Sequence, residues 1–228
     1  MFVYYIFMNK IDEKGRSYKI IVEGGSDEIE IKKSRFIGQA FPIESAVDAE
    51  EIIKSVEKKY WDARHNCYAY ILGSGSEVQR FSDNGEPSGT AGKPILEVLQ
   101  GAGLTNTLVV VTRYFGGTLL GTGGLVRAYT QATQAAIAAS KTAVMTYGLK
   151  ITFSIGYDMV DKIQHTFGQM GIPLDNPVYG ADVSYDVVVS EAEARDVITK
   201  ITEITSGRAT VIEGAKDFYP IVRVNQER

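Results

Sequence analysis

The order of apolar and polar positions sets the expected elements. Residues 18–22 and 29–33 read as strands, and Glu23-Gly24-Gly25-Ser26-Asp27 between them is turn chemistry, so a hairpin is expected. A third strand covers residues 35–42. Ser45 with Asp48 three residues on marks a helix start. Ala49, Ile52, Ile53, Val56 and Tyr60 then recur at helical spacing, to about Lys59. Residues 65–72 and 77–81 read as two strands joined by Gly73-Ser74-Gly75-Ser76. Pro94 suits the first turn of a short helix ending near Gly101. Residues 108–111 are apolar without a break, as in a strand covered on both faces. Leu125, Ala128, Tyr129, Ala132, Ala136 and Ala139 share one side of a long helix over residues 123–139.

Beyond Ser140-Lys141-Thr142, which begins the expected linker, the pattern shifts to a compact strand–helix–strand–strand–helix–strand order. Ile151, Phe153, Ile155 and Tyr157 alternate along its first strand. Asp158 is the expected cap of the next helix, and Pro173 and Pro177 break a weaker strand over 172–179. Val183, Tyr185, Val187 and Val189 alternate along the following one. Ser190 with Glu193 forms a capping box, and residues 209–212 are the last expected strand. The fold class is therefore α+β in two domains: a tail at 1–16, a first domain at 17–140 with helices on one face of its sheet, a second at 143–215, and a tail at 216–228.

Length and charge narrow the function classes. The chain has 228 residues, 44% hydrophobic and 23% charged, which suits soluble globular domains. Its 24 basic and 28 acidic residues leave a net charge of −4, against broad adhesion to nucleic acid, and no DNA specificity is expected. The single cysteine, Cys67, cannot form an internal disulfide and fits a reducing, cytoplasmic setting. Residues 1–8 are apolar but too short for a membrane span, and Met8 is an alternative start. No membrane association is expected.

The chemistry concentrates in two loops, residues 82–93 and 113–124, each leading into a helix. Glycines there admit positive φ and close ligand approach, and a helix start adds unpaired N–H groups with partial positive charge. Arg80, Lys93, Arg113 and Arg127 stand against Asp83, Glu86 and Glu97, so an anion site would be local. The expected ligand-binding residues are Ser88, Gly89, Thr90 and Lys93 in the first loop. In and after the second they are Arg113, Tyr114, Gly116, Gly117, Gly121, Thr122, Gly123, Gly124 and Arg127. His65, Asp83 and Glu86 are possible supports. Residues 116–122 have the glycine spacing of a phosphate-binding loop but carry Thr122 where its lysine would stand. Residues 121–126 fail a dinucleotide fingerprint at the sixth position. His65 and Cys67 share a strand face, which a nucleophile pair would need and a packed core equally explains. Asp83-Asn84-Gly85 reads first as a turn. Trp61 and Tyr60 close the first helix, and Tyr114 and Phe115 stand beside Arg113, where aromatic rings can stack on bases or on a partner. No catalytic residue, metal site or cofactor is assigned.

The run from Phe81 through Ser82-Asp83-Asn84-Gly85-Glu86-Pro87-Ser88-Gly89-Thr90-Ala91-Gly92-Lys93 to Pro94 resembles the IMPACT family, in its bacterial YigZ-type branch. So do Arg113-Tyr114-Phe115-Gly116-Gly117, the stretch from Leu120 to Tyr129, Ser34-Arg35-Phe36-Ile37-Gly38 and Ala63-Arg64-His65-Asn66-Cys67-Tyr68-Ala69-Tyr70. The resemblance implies a first domain like domain 2 of ribosomal protein S5 and domain IV of the translocation factor EF-G. It implies a ferredoxin-like second domain similar to domain V of that factor. It also implies a role in translation, with RNA, the ribosome or a ribosome-associated protein as partner. In eukaryotic relatives it implies competition for a kinase activator, but those carry a different second module. An enzyme acting on a small phosphate or carboxylate between the two loops is the alternative. Fold analogy alone does not decide between them.

Overall fold

The computed structural model describes residues 17–220. It forms two compact units, one spanning Tyr18–Ala143 and the other taking the chain from Val144 onward. The expected tail at 1–16 and residues 221–228 lie outside the described residues.

The first unit opens with β1 (Ser17–Glu23), joined to it by a parallel bridge between Lys19 and Leu104. Its sheet runs in the order β2 (Ser26–Ile31), β3 (Ser34–Pro42), β6 (Thr107–Tyr114), β4 (His65–Leu72), β5 (Val78–Ser82), antiparallel throughout. The expected hairpin between residues 18–22 and 29–33 is corrected: β2 pairs with β3 instead, through Lys32-Lys33. Gly24 and Gly25 serve close approach, since an added Cβ would meet Ala40 O at 2.4 Å and the Ala139 carbonyl at 2.4 Å. Two lysines are not turn chemistry, so nothing local marks this turn. Both sit at positive φ, 49° and 65°, which costs each about 1 kcal/mol or more.

Helices cover both faces of this sheet, not one. Leu108 and Val110 of β6 pack with Ala49, Ile53 and Val56 of α1 (Ala46–Lys59). Val109 and Val111 face the opposite way, toward Ile95 and Leu99 of α2 (Gly92–Gly101) and Ala128 and Ala132 of α3 (Thr122–Ala138). That double cover is why 108–111 has no polar position: each buried Val or Leu contributes about 1.5–3 kcal/mol. The capping box of Ser45 and Asp48 fixes the start of α1.

In the second unit, β7 (Lys141–Ile155) lies between β9 (Val183–Ser190) and β10 (Thr210–Pro220), and β8 (Asp175–Tyr179) pairs with β9. Helices α4 (Val160–Met170) and α5 (Glu191–Thr205) supply Ile163, Phe167, Val197 and Ile201 to a core with Ile151, Phe153, Tyr185 and Val187. Ser190 and Glu193 form their capping box. Three local expectations are corrected. Lys141 and Thr142 belong to β7, not a linker. Residues 216–220 continue β10, with Tyr219 opposite Thr146, and are not a tail. Asp158 pairs with Arg208 at 3.1 Å inside a short 3-10 turn, Tyr157–Met159, and does not cap α4.

Candidate functional site

The first loop folds around its own carboxylates. Asp83 Oδ1 accepts from the backbone N–H of Ala91 (3.0 Å) and Gly92 (2.8 Å), and Oδ2 from Gly89 N–H (2.8 Å). The N–H of Gly92, the first residue of α2, and that of Ala91 just before it are therefore satisfied from within. Asn84 and Gly85 take positive φ, 41° and 83°, to turn the chain. The turn is held to β4 by Asn66 N–H donating to Asn84 Oδ1 (2.8 Å) and by His65 Nδ1, 2.8 Å from Asn84 O. Thr90 Oγ1 donates to Pro87 O at 2.6 Å. Thus His65, Asp83 and Thr90 hold the loop's shape, and Ser88 is exposed.

Below it lies a buried polar chain. Arg113 Nη1 donates to Glu86 Oε1 at 2.6 Å, and Tyr129 OH donates to the same oxygen at 2.8 Å. The Cys67 thiol sits 3.3 Å from the Tyr129 hydroxyl and 2.9 Å from the Asp83 backbone carbonyl oxygen. Arg113 is 6% exposed, Glu86 9%, and Tyr129 and Cys67 not at all. The guanidinium lies between the rings of Phe36 (5.5 Å) and Phe115 (5.6 Å). Burial pushes the Cys67 thiol up to about 12, with the Glu86 charge acting the same way. Burial, followed by Cys67 and Glu86, also raises the Tyr129 phenol. Such a thiol stays protonated at neutral pH, and it and His65 are each engaged with the first loop, at Asp83 O and Asn84 O.

The second loop is open. Gly116 packs its backbone on the Lys33–Ser34 peptide, where an added Cβ would stand 2.0 Å from Lys33 C, and its N–H donates to Ser34 Oγ at 3.1 Å. Gly121, with φ 75° and ψ 166°, precedes α3 in a conformation reserved for glycine. No side chain caps α3, and no acidic residue lies in its first turn. Thr122 and Gly123 are exposed, Gly124 is half-buried, and Arg127 is exposed one turn further on. Phe115 and Leu119 are apolar yet 46% and 81% exposed. Tyr114 turns to the α1 side, where its hydroxyl donates to Asp62 Oδ1 at 2.7 Å.

Two expected ligand residues are thereby corrected. Arg113 is no open receptor for an anion, because Glu86 already neutralises it in the core. Lys93 is exposed and stands 3.8 Å from Glu97 one turn along its own helix, whereas Arg113 is buried. The signal for Arg113 was present: period two places it on the core-facing side of β6 with Val109 and Val111. Nothing local signalled that Asp83 reaches the start of α2. Among the described residues no cluster of three or more His, Cys, Asp or Glu could hold a metal, and no helix is long and apolar enough to cross a membrane.

Comparison with known proteins accounts for both units. Residues 32–137 match the Impact N-terminal domain, and 153–208 match a domain of unknown function, DUF1949. The chain is 37% identical to the IMPACT family member YvyE of Bacillus subtilis over 198 residues, 87% of this chain and 91% of that protein. It is 37% identical to the IMPACT family member YigZ of Escherichia coli over 180 residues, 78% of this chain and 88% of that one. A crystal structure described only as that of a hypothetical protein shares 34% identity at a TM-score of 0.56, covering 89% of this chain and 99% of its own. With nearly the whole length matched, and the two glycine-rich loops inside the matched region, the chain belongs to the IMPACT family.

Proposed function

We propose that this chain is a cytoplasmic binding protein that acts on translation by engaging ribosomal RNA through the second loop and the start of α3. The observation that carries this is the uncapped, exposed first turn of α3, with Arg127 beside it and no acid of its own. Backbone N–H groups in that arrangement suit a phosphate. Exposed Phe115 and Leu119 add apolar contact next to it. We read the first unit as like domain 2 of ribosomal protein S5 and the second as ferredoxin-like, a pairing akin to domains IV and V of EF-G. The strand–helix–strand–strand–helix–strand order of the second unit supports the latter. An enzyme acting between the loops draws less support, because Glu86 already neutralises Arg113 in the core.

Ribosome cosedimentation at low salt tests this. Wild type is expected in the ribosomal pellet, with the bound fraction falling as salt rises and falling further for Arg127→Glu. A protein that stays wholly in the supernatant at low salt would sink the reading.

A further inference from the structure

The end of the first sheet where β2 turns into β3 and β6 runs out at Tyr114 gathers aromatic rings and cations that the second loop does not use. Register brings them together. Arg35 of β3 lies across from Tyr114 of β6, and its guanidinium sits 5.5 Å from the Tyr114 ring. Glu28 holds Arg35 through two bonds of 2.8 Å. Asp62 holds the Tyr114 hydroxyl, so this ring is fixed at both edge and face. Trp61 directly precedes Asp62 and is 83% exposed. Arg64 immediately precedes the His65–Arg113 pair, on the same edge. Lys32 and Lys33 form the adjacent turn in left-handed backbone, with Lys33 pinned under Gly116. No ion pair engages Lys32, Lys33 or Arg64 among the described residues.

A largely exposed indole, one residue from the carboxylate that holds an immobilised phenol, is poor protein surface and a good platform for a flat ring. Three unengaged cations around it are notable in a chain of net charge −4. We infer that this rim binds single-stranded RNA, with bases stacking on Trp61 and Tyr114 and the phosphates between them met by Lys32, Lys33 and Arg64. The inference rests on the RNA-binding reading above and names a second contact for the same strand. Stacking on an aromatic face is tolerant of sequence, so a non-specific, pyrimidine-accepting site follows.

Trp61 is the only tryptophan, so its fluorescence reports this rim alone. The probe is a dye-labelled oligouridine of about twelve nucleotides, within the span a single-strand groove covers. Titration is expected to quench Trp61 emission, whereas inorganic polyphosphate at equal charge is not. Trp61→Ala is expected to weaken RNA binding, read by anisotropy, by at least about tenfold. Lys32→Ala with Lys33→Ala should reduce the slope of log affinity against log salt by about 1.4. Equal RNA affinity of wild type and Trp61→Ala, or equal quenching by polyphosphate, overturns the rim. Ribosome association unchanged by Trp61→Ala also overturns it and leaves the α3 reading intact. Quenching by oligouridine without any ribosome association overturns the ribosome reading and leaves the rim standing.

Discussion

The two glycine-rich loops share composition, neighbouring cations and a helix that follows, yet they end in opposite states. In the first, Asp83 takes the N–H groups of Gly89, Ala91 and Gly92, and Glu86 takes Arg113. In the second, the first turn of α3 contains no acid, and Gly117, Gly121 and Gly123 are exposed. Glycine content therefore says that backbone comes close to something. Which something is decided by whether the loop carries its own carboxylate. A loop that supplies the anion closes; one that lacks it keeps its positive end available.

The largest test acts on the closed loop. Glu86→Ala leaves the Arg113 guanidinium buried without a counter-charge and removes the acceptor of Tyr129. Urea denaturation should show about 3–5 kcal/mol of lost stability. Glu86→Gln, which still accepts from Tyr129, should lose less. A loss below about 1 kcal/mol for Glu86→Ala would mean the pair is solvated and the loop is not closed as described.

The same buried chain has a pH signature. Cys67 has its folded value raised to about 12 from an ordinary value of 9.0. The unfolded chain thus gives up this proton first. The associated stability is fully present below about pH 9 and falls as pH rises toward 12, at most by about 1.4 kcal/mol per unit. Tyr129, also raised, steepens the upper part of that window. Cys67→Ser keeps a donor but does not titrate there. Its unfolding midpoint should fall less steeply between pH 9 and 11 than that of wild type; parallel profiles would contradict the buried thiol.

A smaller effect is expected at the cap. Asp83→Ala removes one acceptor of three N–H groups while leaving the Arg113–Glu86 pair. About 2 kcal/mol should be lost, and amide exchange at Ala91 and Gly92 should quicken more than elsewhere in α2. Uniform quickening across the helix would show that Asp83 acts on overall stability and not on these N–H groups.

How far these features were legible depended on the range of the interaction. Elements whose period is local, such as the helix from Ala46 and the alternation over 183–190, were readable because burial follows residue spacing directly. The Ser45–Asp48 and Ser190–Glu193 boxes are three residues long and equally plain. The Lys32-Lys33 turn was hidden because tertiary pairing overrides turn preference there. Placing helices on one face contradicted the unbroken apolar run of β6, which already required two covers. The site was half readable. Its loops stood out by composition, but the reach of Asp83 to Ala91 and of Glu86 to Arg113 depends on where distant backbone ends meet.

The smallest change in stability makes the sharpest comparison. Thr122→Asp places a carboxylate in the first turn of α3, giving the open loop the device that shuts the closed one. Thr122 is exposed, and at this position a negative charge interacts favourably with the helix start. The variant should gain about 0.3–1 kcal/mol in urea denaturation. It should at the same time lose ribosome association, because its own carboxylate competes for the N–H groups a phosphate needs. Thr122→Asn separates the two contributions: it can accept the same hydrogen bonds without the charge, so binding should fall less. If Thr122→Asp gains stability and still pellets with ribosomes as wild type does, the start of α3 is not the anion contact. The difference between the loops would then be one of folding alone.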